Sequence, residues 1–193
     1  LYNIVDRMFV GRGVGSLAIA ATTVAFPIMV ISMALSMLIG VGATALISIR
    51  LGEQKREEAE IVAANGAALL VLMPLISVVI YFAFPDQILR FFGASTEVLP
   101  LARDFMDIVM LGSVIGSLGI GMNNFIRAEG NPVRAMSTQV LGALINIVLN
   151  YVFIFKMGLG IKGSALATVI GQVFSSAWVL SYYFSGRSVV KLR

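Results

Sequence analysis

The feature that most constrains this chain is the spacing of its charges. Uncharged runs cover residues 13–49, 61–85, 108–126, 135–155 and 163–186. Crossing the hydrocarbon core of a bilayer takes about 20 apolar residues in a helix. Each run meets or approaches that length and is rich in Leu, Ile, Val, Ala, Phe and Met. None shows strict alternation of apolar and polar residues, which excludes a β-barrel reading. Hydrophobic residues make up 59% of the 193 and charged residues only 12%, whereas soluble domains carry about 25% charged residues. A soluble fold of this size could not hide so much apolar surface. The fold class is therefore an all-α, polytopic membrane helix bundle.

The first run is too long for one simple crossing and contains Pro27. An entry stretch from about Ser16 is expected, then a helix bent near Pro27 and continuing to about Ile49. Leu1 to Val10 reads as the closing turns of a helix that ends at Gly11, Gly13 and Gly15. The chain is thus expected to be a fragment, with one partial helix (1–10) and five complete ones, at 16–49, 60–84, 105–126, 133–155 and 163–185. The link 85–107 carries Ile88, Leu89, Phe91 and Phe92 beside Arg90, as in a helix lying along the interface. Residues 127–134 form a tight turn in which Asn-Pro opens the next helix. Loops 50–60, 127–134 and the tail hold eight Lys and Arg, against six on the other side. That bias puts the tail in the cytoplasm.

Chemistry is restricted by what is missing. With no Cys and no His, thiolate metal sites, disulfides and His-based acid–base catalysis are excluded. No catalytic constellation is present, so the chain is not read as an enzyme. Gly158 to Gly163 matches a dinucleotide fingerprint in letters, but it joins two spanning helices rather than a strand and a soluble helix. The net charge of +4 suits loops beside anionic headgroups and gives no argument for nucleic acid. No cofactor is called for.

Polar groups at membrane depth are costly and mark candidate sites. Asp6 is the one acid within a hydrophobic helical segment, and Tyr2 shares its face four residues earlier. The residues leave open whether Asp6 acts in a site or flanks the helix end at the water interface. The fifth helix carries Gln139, Ala143, Asn146 and Asn150 at one-face spacing, and the sixth carries Ser164, Thr168, Gln172 and Ser175. Interhelical hydrogen bonding that holds a bundle together would give such stripes, but Asn146 and Asn150 offer more donors and acceptors than packing requires, which favours a shared polar cavity. Gly112, Gly116 and Gly119, and Gly163, Ala167 and Gly171, form small-residue rows suited to close helix packing. Met29, Met33 and Met37 make an adaptable apolar stripe whose plainest role is packing.

The strings LYNIVDRMFVGRG, LAIAATTVAFPI, ILRFFGASTEVLPLARDFM, RAEGNPVRAM and NIVLNYVFIFKMGLGIKGSALATVIGQ resemble segments of the MATE (multidrug and toxic compound extrusion) transporters, in family order along essentially the whole chain. The resemblance implies a twelve-helix fold of two six-helix lobes. Residues 1–193 would be the N-terminal lobe with its first helix truncated and the C-terminal lobe, its partner in the same protein, outside this sequence. It further implies export of a cationic, amphipathic small molecule across a bacterial-type cell membrane, by antiport against H+ or Na+. By motif position, Asp6 matches the family's coupling acid, Tyr2 a neighbouring tyrosine, and Asn146, Asn150 and Thr168 the polar positions of helices five and six. Many members carry Asp where this chain has Asn150, so this cluster would hold one carboxylate rather than two. A sodium ion at the Asp6 cluster is compatible with that set. Gln139, Ser164 and Gln172 are expected to line the cavity. Two other readings are a flippase of related fold for lipid-linked substrates, and a membrane subunit without transport.

Overall fold

The computed structural model describes the backbone of residues 2–185 and the side chains of residue 6 and residues 8–185. Leu1 and residues 186–193, including the basic tail, lie outside the described residues. Every regular element among them is helical. Seven α-helices follow in order: α1 Tyr2–Gly13, α2 Ser16–Gly52, α3 Arg56–Ala83, α4 Pro85–Phe91, α5 Leu99–Ala128, α6 Pro132–Tyr151 and α7 Gly160–Phe184. A five-residue π-helical segment, Val152–Lys156, continues α6. Five elements have membrane length and apolarity: α2, α3, α5, α6 with its π segment, and α7. The chain is a multi-pass membrane protein.

The bundle is apolar on its outside as well as within. Leu38, Val79, Leu111 and Val148 are each at least 60% exposed, as side chains facing lipid should be. What distinguishes the interior is small size and hydrogen bonding rather than hydrophobicity alone. One apolar cluster joins Val10, Ala21, Ala25, Tyr81, Phe105, Met106 and Ile161, and a second joins Ile47, Ala63, Leu70, Phe125, Ile126 and Val179.

The glycines at 11–15 close α1 as expected: the helix ends at Gly13, and Gly15 takes φ +112°. Pro27 lies inside α2, which runs as a single helix of 37 residues, also as expected. A proline in a membrane helix is accommodated when neighbours and Ser or Thr side chains satisfy freed backbone groups. Within the 85–107 link, α4 occupies Pro85–Phe91, and α5 begins at Leu99 rather than near 105, so only 92–98 is loop. The first turns of α5 carry charged residues on one side, which hides them from a count of uncharged residues. There Arg103 pairs with Asp86 at 3.0 Å, Lys162 with Asp104 at 3.2 Å, and Tyr81 donates to Asp107 at 2.8 Å.

The turn at 129–131 follows from its letters. Gly130 adopts φ +83°, and the Asn131 N–H reaches back to the Ile126 carbonyl at 3.2 Å. Asn131 then caps α6 by accepting from the Arg134 N–H, with Pro132 in the first turn. At 53–55, Arg50 and Lys55 flank Glu53 at 2.9 and 3.1 Å and hold its carboxyl below the ordinary glutamate range. The 53–55 and 129–131 turns share one membrane face. The 14–15, 92–98 and 157–159 connections share the other.

Helix α5 is the central post and is the most buried of the spans. On one side Gly40 of α2 meets Gly121 of α5, and one turn away Ser36 bonds Ser117 at 2.7 Å. A Cβ on Gly40 would sit 2.9 Å from the Gly121 Cα, whereas one on Gly42 would meet open space. Gly40→Ala must therefore force two backbones apart. The expected loss is about 1–3 kcal/mol, read as a lower unfolding temperature in detergent. Gly42→Ala on the same helix should leave that temperature unchanged or raise it slightly.

Candidate functional site

The site forms where α1, α6 and α7 meet near the face carrying the 157–159 connection. Asp6 stands about two turns before the end of α1 and is half-buried. Asn150, on the last turn of α6, is fully buried, and its amide donates to the Asp6 carboxylate. The same amide nitrogen donates to the Asn146 carbonyl at 3.1 Å, which fixes its orientation. Asn146 is 3% exposed and its amide donates to the Thr168 hydroxyl at 3.4 Å. Thr168 in turn donates to the Ser164 carbonyl at 3.1 Å. A continuous chain of polar contacts therefore runs from the carboxylate through α6 into α7.

Helix packing explains why these side chains converge. Gly171 of α7 lies against the Asn146 Cα and Cβ and the Gly142 carbonyl, and Gly142 of α6 admits the Ser175 hydroxyl. This approach puts Ala135, Thr138, Gly142, Asn146 and Asn150 on the buried face of α6. The stripe expected from sequence drifts off that face at its far end. Gln139 is exposed and lines no cavity with Asp6, and Thr138 takes the inward position instead. At 100° per residue the two registers diverge slowly, and the contact of Ser175 with the Gly142 and Thr138 level selects the second. Ala143 is half-buried.

Of the other expected lining residues, Ser164 faces the site. Asp6, Thr22, Phe26, Met29, Phe105, Ser164 and Thr168 together line one cavity. Gln172 does not join it. Its amide packs over Gly116 of α5, one turn further along α7. Tyr2 lies on the backbone of α1, and its side chain is outside the described residues. Thr22, Phe26 and Met29 are additions from the structure. Their i, i+4, i+7 spacing in the first half of α2 was the available signal, and it was hidden inside a long uncharged run that is mostly apolar.

The chemistry available is that of one carboxylate among neutral amide and hydroxyl groups. When ionised, such a carboxylate carries one negative charge, which a single proton or monovalent cation would neutralise. The buried acceptors Asn146 Oδ1 and Asn150 Oδ1 have no hydrogen-bond partner, so oxygen donors for a cation are present beside Asp6. Phe26, Met29 and Phe105 give the cavity an apolar and aromatic part of its lining.

A family model described as MatE matches residues 1–152. Among curated proteins, the multidrug export protein MepA of Staphylococcus aureus (strain NCTC 8325 / PS 47) is 29% identical over 192 residues, which is 100% of this chain and 43% of that protein. The MepA protein of Staphylococcus haemolyticus (strain JCSC1435) is 30% identical over 183 residues, covering 95% of this chain and 40% of its own length. This chain thus spans less than half the length of the relatives it matches. Among solved structures, a MATE protein in the bent conformation superposes with TM-score 0.95 at 31% identity, covering 100% of this chain and 43% of that one. A multidrug resistance MATE family transporter captured outward-facing gives 0.93 at 30% identity, over 100% of this chain and 43% of that one. An inward-facing one gives 0.94 at 30%, over 100% and 44%.

The hydroxyl of Thr168 is what Asn146 donates to, and valine has the same shape without it. Thr168→Val should destabilise the fold by about 1–3 kcal/mol by stranding a buried amide. Thermal unfolding in detergent would show this, and an unchanged midpoint would remove Thr168 from the polar chain.

Proposed function

This chain belongs to the MatE family, and from that membership we propose that it forms the ion-coupling lobe of an exporter of cationic, amphipathic small molecules. The observation that carries the proposal is the contact of Asp6 with Asn150, beside a cavity that Asp6 lines together with Phe26 and Met29. In the whole protein the substrate leaves the cell in exchange for an incoming proton or sodium ion, which binds at Asp6. Asn146, Asn150 and Thr168 hold the carboxylate in both of its states.

The coupling follows from charge. An ionised Asp6 attracts a cationic substrate toward an apolar and aromatic wall suited to its ring systems. Neutralising the same carboxylate removes that attraction. A low-polarity surrounding magnifies the difference. An ion and a substrate that cannot share one negative charge exchange rather than accumulate together, and this is antiport at the level of one site. Alternating access then requires only that the two occupancies favour different arrangements of two lobes. The close likeness of this lobe to chains captured in both outward- and inward-facing states supports a lobe that moves as one body. One carboxylate, with Asn at position 150, supports transfer of a single charge at this site per cycle.

Asp6→Asn in the full-length protein keeps the side chain's shape and abolishes its charge. Drug export from cells expressing it should fall by about 5- to 150-fold, the range of a typical site-to-site coupling. Growth in the presence of a cationic dye and direct efflux rates would measure this. Export at the unaltered rate would dismiss Asp6 as the coupling group.

A further inference from the structure

Another cavity lies between α2, α3 and α5, and it shares no lining residue with the one at Asp6. Five serines face it: Ser32 and Ser36 on α2, Ser77 on α3, and Ser113 and Ser117 on α5. Leu35, Ile39, Met73 and Pro74 complete its walls. It stands near the middle of α2 and of α5, hence near mid-depth in a bilayer. Ser36 and Ser117 are each 4% exposed, whereas Leu35 and Met73, at 36% and 37%, form a mouth on the outer surface of the bundle. The volume, open mouth included, is about 250 Å³.

A serine hydroxyl has one hydrogen to give and two lone pairs with which to accept. All five hydrogens are already engaged. Ser32 donates to the Ile28 carbonyl at 3.1 Å, Ser77 to the Met73 carbonyl at 3.1 Å and Ser113 to the Met110 carbonyl at 2.7 Å. Ser36 donates to the Ser32 carbonyl at 2.9 Å, which makes Ser117 the donor in the 2.7 Å contact between Ser117 and Ser36. The hydrogens thus serve the bundle, and the oxygen lone pairs are left over. Pro74 has no N–H, and the side chains of Leu35, Ile39 and Met73 carry no donor. The side chains around this cavity therefore present acceptors alone. Hydrogen bonds in series polarise one another, so the run from Ser117 through Ser36 to the Ser32 carbonyl strengthens the oxygens as acceptors.

Such a lining selects its occupant. Acyl chains offer no donor, and the bilayer core holds no water to supply one. A cation could meet the oxygens, but no carboxylate lies among the lining residues, and an uncompensated charge at this depth is costly. An uncharged O–H or N–H satisfies both conditions. The inner end has room for a group the size of a water molecule. Any chain attached to that group must stay at the mouth, against Leu35 and Met73.

We infer that this cavity is a binding site for amphipathic molecules dissolved in the bilayer that carry an uncharged hydrogen-bond donor: an alcohol, a phenol or an amine in its neutral form. The donor group enters among the serine oxygens, and the apolar chain lies at the mouth between α2 and α3. The assignment does not rest on Asp6 or on ion coupling. It gives the lobe a place for an uncharged molecule, complementary to a carboxylate site that attracts a charged one.

The test uses full-length protein in proteoliposomes and two probes of one chain length. One is a medium-chain alcohol carrying a photoreactive diazirine. The other is its methyl ether, which keeps the chain and loses the donor. After illumination, adducts are mapped by mass spectrometry. Labelling at Leu35, Ile39 and Met73 should be about five- to tenfold stronger with the alcohol, the ratio that one net hydrogen bond supplies. Leu38, 72% exposed, should be labelled equally by both. Ser32→Ala combined with Ser77→Ala removes two of the oxygens, and Ser113→Ala separately removes a third. Each variant should cut the alcohol's excess several-fold, and two are used so that one that fails to fold does not decide the matter. Equal labelling by alcohol and ether in the unaltered protein would overturn the site, with water or lipid as its occupant instead. An excess that survives in every folded variant would overturn the serines as the acceptors.

Discussion

The rest of the structure depends on how closely helix backbones approach α5. Lipid is as apolar as leucine, so burying apolar side chains gives helices little reason to associate. Contact at short range and hydrogen bonding must do it. Gly121 lets α2 in on one side, and Gly112, Gly116 and Gly119 let α7 in on the other. Once α7 is seated, its Gly171 draws α6 close enough for Asn146 to reach Thr168. Asp6 on the short α1 then finds Asn150 already oriented by the carbonyl one turn earlier. The acid is the last piece of an order that begins with the absence of side chains.

Polar groups in this lobe therefore occur in two kinds. Some serve the bundle itself. Ser32, Ser77 and Ser113 each donate to a carbonyl of their own helix, and Ser36 also spans to Ser117. These hydroxyls are satisfied locally and add a modest amount each. The others are placed where their own helix cannot satisfy them. An amide such as Asn146 carries two donors and a two-lone-pair acceptor, and a helix interior uses few of these.

How much of this was legible beforehand can be traced residue by residue. The spans were legible because charge is excluded from hydrocarbon, and the gaps between charges measure that exclusion directly. Asp6, Asn146, Asn150 and Thr168 were legible as rare polar letters in those runs, and the structure brings Asp6 to Asn150 and Asn146 to Thr168. The start of α5 was not, because its first turns carry Arg103, Asp104 and Asp107 beside their buried side chains and so interrupt the uncharged run. Gln139 was misplaced because a 3.6-residue period leaves two nearly equivalent inward registers over three turns. Only the neighbouring helix, through Ser175, distinguishes them. Phe26 and Met29 were invisible as site residues for a related reason. In an apolar run, nothing local separates a side chain that faces lipid from one that faces a cavity.

The π segment after Asn150 has a geometrical consequence of its own. A helix bonded five residues apart winds at about 4.4 residues per turn instead of 3.6, so each residue advances roughly 80° rather than 100°. Over Val152–Lys156 the lag accumulates to about a quarter-turn. That lag swings Ile154 inward, buried to 5% exposure, onto the bare backbone of Gly13, where a Cβ would lie 2.3 Å from it. Phe155 comes round beside the ring of Phe9 at 5.9 Å. The C-terminal end of α1 is thereby gripped by a change of winding in another helix. The depth at which Asp6 rests is set by pitch as much as by any bond its carboxylate makes.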